Sequence, residues 1–354
     1  MGAWLAAHRL ADNDVGQFPS LLARTTMTGM FRTGWQTAAL AAAGGAGALA
    51  LAGWVGSRIT VTPGNPMSGD VQQFAWHGRQ VAFASRGRGV PVVLVHDVHP
   101  GASSLEFSHL YTALATGYRV FALDMLGFGA SDRPAIRYTP ALYQQLLLDF
   151  VTHVAGAADQ PVHVIASRHS AAFLVRAAAE RPQLFERLVL IEPAGITTRR
   201  VLGTPAMREM ALRLLHAPVP GLMAYDLLAS RPGMRYFLRM AYKRPTAVTR
   251  AVVTAHRREA LRRGARFAPA CYLTGMLDTT SREALVRLRL PILLAWGRHA
   301  RLMPVEHIPL WLRIYPRADL RLFNAGDFPH SETADDFLKA VSTWLGEPLA
   351  TRQA

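Results

Sequence analysis

The stretch that most constrains this chain is Val162-His163-Val164-Ile165, followed by Ala166-Ser167-Arg168-His169-Ser170-Ala171-Ala172 and the helix-like run Phe173 to Glu180. An apolar run of strand length, a tight turn and a helix in immediate succession make an elbow. Such a turn needs small residues two before and two after its apex, because neighbouring backbone packs against it there. Only one register supplies them: Ala166 and Ser170 flank an apex at Arg168. An apex at Ser167 would require Ile165 and His169 to be the small positions, and one at Ser170 would require Arg168 to be small. The turn is therefore expected intact with a guanidinium at its tip, a group that stays protonated and cannot attack a carbonyl.

Around the elbow, short apolar runs alternate with helical patterns. Strands are expected at Val71–Trp76, Gln80–Ala84, Val92–Val95, Arg119–Leu123, Val162–Ile165, Leu188–Ile191, Ile292–Ala295 and Leu320–Phe323. Helices are expected near Ser104–Ala115, Pro140–Ala155, Ala171–Glu180, Val305–Tyr315 and Ala334–Leu345. Apolar strands alternating with helices imply an α/β fold, a mostly parallel central sheet covered on both faces. The pattern breaks between Thr197 and Leu288, where a helical stretch rich in Met and aromatics reads as an inserted cap. The organisation expected is a lead-in over 1–33, an anchor over 34–57, a linker over 58–70, a core over 71–196 and 289–354, and a cap over 197–288.

The anchor reading rests on Ala38 to Val55, an uncharged Ala/Gly/Leu run bracketed by Trp35 and Trp54. The two indoles lie nineteen residues apart, roughly 28 Å along a helix, which matches a bilayer core with its aromatic belts. Gly44, Gly45, Gly47 and Ala48 would let a partner helix approach closely. A cleaved leader or a buried Ala-rich helix are the other readings, and the long lead-in argues against the leader. A single-pass N-terminal transmembrane anchor is expected, in a bacterial inner membrane, with its side left open because Arg24 and Arg32 face Arg58 across the run.

The net charge of +15 is carried almost wholly by Arg, with Lys only at 243 and 339. The arginines are dispersed and no nucleic-acid motif accompanies them, so a nucleic-acid partner is not expected; membrane proximity or base composition accounts for the excess. The single cysteine, Cys271, excludes an intramolecular disulfide and reads as a small buried hydrophobe. No G-x-G-x-x-G opens a helix after a strand, and no cofactor is implied.

Five further motifs then agree in order. They are Val93-Leu94-Val95-His96, Asp124-Met125-Leu126-Gly127-Phe128-Gly129-Ala130-Ser131-Asp132, Arg187-Leu188-Val189-Leu190-Ile191-Glu192-Pro193, Ala295-Trp296-Gly297 and Asn324-Ala325-Gly326-Asp327-Phe328-Pro329-His330. With the elbow and the cap, they make residues 71–347 resemble the α/β-hydrolase family, in its cap-bearing branch. The resemblance implies a nucleophile at the elbow apex, an acid three residues past Gly297, a base directly after Gly326, and backbone N–H donors for the oxyanion at Val98 and His169. This sequence departs at every side-chain position. The apex is Arg168, the acid position is Ala300, the base position is Asp327, and Asp97 follows His96 where the family carries Gly. A carboxylate at Asp97 would sit close to the developing oxyanion and disfavour it.

The replacements complement one another, and an Arg168–Asp97/Asp327 ion-pair cluster is expected in the old triad pocket, since a buried unpaired charge costs several kcal/mol. The competing reading bends Arg168 into solvent and leaves the aspartates as loop caps. A displaced site is the second alternative: Ser170 or Ser167 as nucleophile, His330 as base and Glu192 as acid, against His330 simply packing under the last helix and Glu192 capping the entry to the cap. His99, His169, His299 and His330 fall at the same sheet edge as Asp97 and Asp327, but the spacing matches no ligand pattern and Arg168 would repel a cation, so no metal is expected. In the cap, Met207, Met210, Met223, Tyr225, Met234, Tyr236, Phe237, Met240, Tyr242, Phe267, Tyr272 and Met276 either line a pocket for a lipophilic ligand or form the core between cap and sheet. Two functions follow. One is a non-catalytic membrane-anchored family member that binds a lipophilic small molecule or a membrane protein partner; the other is a hydrolase of esters, amides or epoxides working through a displaced nucleophile.

Overall fold

The computed structural model describes residues 67, 70–197 and 203–346. The stretch 34–57 expected as an anchor lies outside them. Among the described residues no helix is long and apolar enough to cross a membrane.

Eight strands form one sheet: β1 (Val71–Trp76), β2 (Arg79–Arg86), β3 (Pro91–Val95), β4 (Arg119–Leu123), β5 (Val162–Ser167), β6 (Phe185–Ile191), β7 (Ile292–Gly297) and β8 (Asp319–Phe323). Their order across the sheet is β1-β2-β4-β3-β5-β6-β7-β8. The pairs β1–β2 and β2–β4 are antiparallel and all later pairs are parallel. Every residue of β3, β5 and β7 is buried, as strands covered on both faces require. One face carries Phe83, Phe121, Tyr143, Phe150, Phe173 and Trp296. The other is closed by Leu110, Tyr111, Phe323 and Phe337. Fully burying side chains of this size contributes roughly 1.5–3 kcal/mol each.

Helices fill the crossovers. Ser104–Phe107 is a single 3₁₀ turn leading into the helix Ser108–Leu114, so the run read from sequence as one helix is split. Pro140–His153 starts on a Thr139 side chain that accepts from Leu142 N, with Pro at its first position. The elbow helix runs Arg168–Glu180 and begins three residues earlier than the periodicity predicts. The polar turn residues Arg168, His169 and Ser170 hide that the helix starts directly at the apex. Between β6 and β7 lie six helices among the described residues: Pro205–His216, Pro220–Leu228, Arg231–Ala241, Arg250–Ala260, Phe267–Leu273 and Arg282–Arg287. Tyr225, Met234, Leu238, Tyr242 and Val253 pack there around Phe328, which comes from the loop after β8.

Two glycines let the loops close over the sheet edge. A Cβ on Gly129 would lie 1.9 Å from the Asp124 carboxyl, so this carboxyl can receive Ser104 N and Ala130 N, each at 2.7 Å, only because Gly stands there. A Cβ on Gly297 would meet the Gly326 carbonyl at 1.9 Å. The close approach of the β7 and β8 loops is what brings Asp327 to the elbow.

Candidate functional site

The apex of the elbow is Arg168. β5 ends at Ser167, the helix begins at Arg168, and the apex has φ +42°. A non-glycine residue in this left-handed region costs on the order of 1–3 kcal/mol and persists where its surroundings fix it. Glu192 at the end of the adjacent β6 is held in the same way, at φ +46°. The strained turn that would present a nucleophile is intact, and Arg168 itself is buried.

Asp97 answers the guanidinium. Arg168 Nε donates to Asp97 Oδ2 at 2.9 Å. The other carboxylate oxygen, Oδ1, accepts from the His169 backbone N–H at 3.2 Å. That N–H follows the apex and is the one that would hold an oxyanion in acyl transfer. A carboxylate oxygen of Asp97 therefore takes one of the two N–H groups expected to hold an oxyanion. Burial raises its pKa, but Arg168 and then His169 outweigh burial and hold it well below the ordinary carboxylate range. Val98, the second expected donor residue, is wholly buried in the main core. His96 anchors the loop, with Nε2 accepting from Met125 N at 3.0 Å and Nδ1 against the Asp97 carbonyl at 2.5 Å.

Asp327 joins the cluster differently from the expectation. Its carboxylate accepts from the backbone N–H groups of Arg301, Leu302 and Met303 at 3.0, 2.9 and 3.1 Å. Arg168 Nη1 donates to the Asp327 carbonyl at 3.2 Å and lies 3.9 Å from its Oδ1. Asp327 thus caps the loop containing Ala300, while its main chain takes the guanidinium. The Phe328 ring stacks on Arg168, with Cζ 4.5 Å from the ring centroid. Burial lowers the Arg168 pKa, but the charges of Asp97 and then Asp327 reverse this and hold it above its ordinary value. Solvent exposure of Arg168 is ruled out by its burial.

The displaced-site residues are each engaged elsewhere. Ser170 Oγ donates to the His96 carbonyl at 2.5 Å. Glu192 Oε1 accepts from Gly297 N at 3.0 Å, and burial, followed by the nearby Asp327 charge, pushes the pKa of its carboxyl well above the ordinary range. The expected combination of Ser170, His330 and Glu192 is not assembled. Instead Ser167 Oγ donates to Glu106, and His330 Nε2 lies 3.1 Å from the same Glu106 oxygen. The order is serine–carboxylate–histidine, with the carboxylate in the middle, so the imidazole is not placed to take the serine proton. Burial raises the Glu106 pKa, yet His330 and then Arg168 bring it down to about 2, which makes it a poor base near neutrality.

Glu106 was not singled out from sequence. It is the only acid between Asp97 and Asp124, set between Leu105 and Phe107. That isolation was the available signal, because a lone acid among core residues needs a buried partner. The remaining histidines do not gather. His99 packs on Phe237 and His256, and burial brings its pKa down to about 4. His299 meets Asn324 at 3.3 Å, and His169 lies between Asp97 and Asp278 at 3.5 and 3.4 Å. Among the described residues no group of three or more His, Cys, Asp or Glu is arranged to hold a metal ion. The cap's Met and aromatic set divides. Tyr225, Met234 and Tyr242 are core, whereas Met207, Met210 and Tyr236 face solvent.

The comparisons with known proteins fit this architecture. Over 295 residues the chain is 25% identical to an uncharacterized protein of Mycobacterium tuberculosis, covering 78% of this chain and 82% of that one. It is also 25% identical over 289 residues to the 2-hydroxymuconate semialdehyde hydrolase of Pseudomonas putida, covering 76% and 92%. A meta-cleavage product hydrolase from Pseudomonas fluorescens superposes with a TM-score of 0.64 at 21% identity, covering 78% of this chain and 98% of that one, a likeness of fold. The family model described as "Alpha/beta hydrolase family" matches residues 92–340. With that match spanning the sheet from β3 through the elbow to the last helix, the chain belongs to the alpha/beta hydrolase family.

Proposed function

We propose that this protein is a non-catalytic member of the family, held at a membrane by residues 34–57, that works by binding. One observation carries the reading: a carboxylate oxygen of Asp97 already takes the His169 N–H at 3.2 Å, while its partner oxygen is tied to Arg168. A substrate carbonyl would have to displace a buried ion pair to reach that donor, and no nucleophile stands at the apex.

The site interior supports recognition at the surface over recognition of a small lipophilic molecule within. Side chains that would line a ligand chamber pack on one another. Tyr242 and Phe328 have ring centroids 5.2 Å apart, His99 and Phe237 5.2 Å, and His169 and Tyr272 5.0 Å. Surface hollows of about 340 and 300 Å³ lie on the cap helices, and neither is lined by an elbow residue.

The test is labelling of the folded full chain with a serine-reactive fluorophosphonate, alongside turnover of aryl esters and of 2-hydroxymuconate semialdehyde, with Ser167→Ala and Ser170→Ala variants. No labelling and no turnover are expected. Labelling lost in one of the two variants would overturn the reading and name the nucleophile.

A further inference from the structure

Large apolar side chains exposed on the described residues are concentrated in one part of the chain. Nine are exposed, and six of them fall between residues 207 and 236: Met207, Met210, Leu214, Val219, Leu227 and Tyr236. Met207, Met210 and Leu214 follow at intervals of three and four, so they share one face of the helix Pro205–His216. The buried residue of that helix is Leu212. The amphipathic pattern is thus satisfied inward by Leu212 and leaves a second apolar stripe facing out. Scattered exposed apolar residues need no explanation, but a stripe does.

A row of like charge lies on the third cap helix, which the helix Pro220–Leu228 joins to the first. Arg231, Arg235 and Arg239, at intervals of four on the helix Arg231–Ala241, line a surface hollow of about 300 Å³ together with Pro232 and Tyr236. All three arginines are exposed. The only carboxylates on residues 203–244 are Glu209 and Asp226. Glu209 is engaged by Arg137 at 3.1 Å and by Arg213 at 3.4 Å. Burial raises the Asp226 pKa, with Arg257 and Arg266 opposing it. No carboxylate of residues 203–244 is left over to compensate these arginines, and Pro232 and Tyr236 stand beside them.

We infer that the outer surface of the first three cap helices, Pro205–His216, Pro220–Leu228 and Arg231–Ala241, docks on an anionic lipid bilayer. Met207, Met210 and Leu214 enter the acyl boundary while Arg231, Arg235 and Arg239 meet lipid phosphates. Exposed Met and Leu gain from leaving water, and arginine is suited to phosphate. A bilayer supplies both environments along one boundary, and its negative surface complements the chain's net charge of +15. The inference deepens the binding reading given above, but it does not depend on the elbow being inactive. Fluorophosphonate labelling tests the elbow and immersion of the cap tests this surface, so the two fail separately.

The experiment places an environment-sensitive fluorophore on Met210→Cys in the full chain; the native Cys271 is buried. The control position is Leu322→Cys, an exposed site on β8. Vesicles are phosphatidylcholine alone or with about a third phosphatidylglycerol. A blue shift and quenching by nitroxide-labelled lipid are expected at 210 on the anionic vesicles and not at 322, whether or not the N-terminal residues also insert. Three arginines near an anionic surface are worth on the order of a hundredfold in partitioning, so Arg231→Gln, Arg235→Gln and Arg239→Gln together should reduce the immersed population by that factor. Raised salt should weaken immersion in the parent chain. No shift at 210, or an equal shift on neutral vesicles, would overturn the inference. A shift without vesicles that grows with protein concentration would overturn it in favour of a second copy of the chain.

Discussion

Arg168→Met is the perturbation that bears on the whole cluster. Methionine keeps apolar bulk under Phe328 but removes the cation that faces Asp97 Oδ2 at 2.9 Å and the Asp327 carbonyl at 3.2 Å. Both aspartates are almost wholly buried, so the loss leaves charge without its partner. Breaking a buried pair from one side costs about 3–5 kcal/mol. For a domain of this size that corresponds to a fall in Tm of about 10 °C. The loss should depend on pH. In the parent chain the Asp97 pKa is depressed, so its contribution is present above the unfolded value near 3.8 and is lost only as pH falls through the lower folded value. Without Arg168, burial leads and raises that pKa, so ionised Asp97 becomes a penalty that grows above 3.8. The deficit should therefore be largest at pH 7 and shrink toward pH 4. Asp97→Asn in the same chain should restore more than half of it. The assay is thermal and urea unfolding of the single and double variants at both pH values. A Tm change under about 3 °C, the same deficit at both pH values, or additive single-variant effects would refute the buried ion pair.

Further outcomes follow from the same geometry. Arg168→Ser alone should give no ester turnover, because Asp97 still occupies the His169 N–H; with Asp97→Gly and Asp327→His added, fluorophosphonate labelling at residue 168 should appear, read by mass spectrometry. Glu192→Gln should raise Tm at pH 7 and leave it nearly unchanged near pH 4, because burial disfavours the ionised carboxyl of the folded parent, a cost that is present above the unfolded value of 4.5 and fades below it. The His99 pKa falls from 6.5 to about 4 on folding, so its neutral form contributes about 3 kcal/mol that is lost as pH drops through that window. Urea titrations of His99→Gln should flatten that limb of the stability curve. Glu106→Gln should remove stability present above pH 4.5 that the parent loses between 4.5 and about 2, and acid titration by circular dichroism reads it directly.

Much of the fold was legible because each strand is a short apolar run between turn residues, and such runs are readable when both faces of a sheet are covered. The register of small residues placed the apex at Arg168, and opposite charges at Asp97 and Asp327 pointed to its partners. Detail at the site was less legible. Nothing local tells that Asp327 directs its carboxylate to the N–H groups of residues 301–303 and offers its carbonyl to Arg168, since that depends on how closely Gly297 and Gly326 approach. Glu106 escaped because its partners, Ser167 and His330, are distant in sequence. From sequence alone, Met207 and Met210 fit a pocket lining or the core equally well. They face solvent because Leu212 already provides that helix's inward contact.

The central claim is that an ionised Asp97, paired with Arg168, takes the His169 N–H that would hold an oxyanion. A carboxyl ¹³C titration of selectively labelled aspartate, assigned with Asp97→Asn, tests it directly. The account predicts that the Asp97 carbon keeps its ionised shift down to about pH 3, below the ordinary 3.8, and that Arg168→Met moves its midpoint upward. A midpoint near 4 that Arg168→Met leaves in place would contradict it.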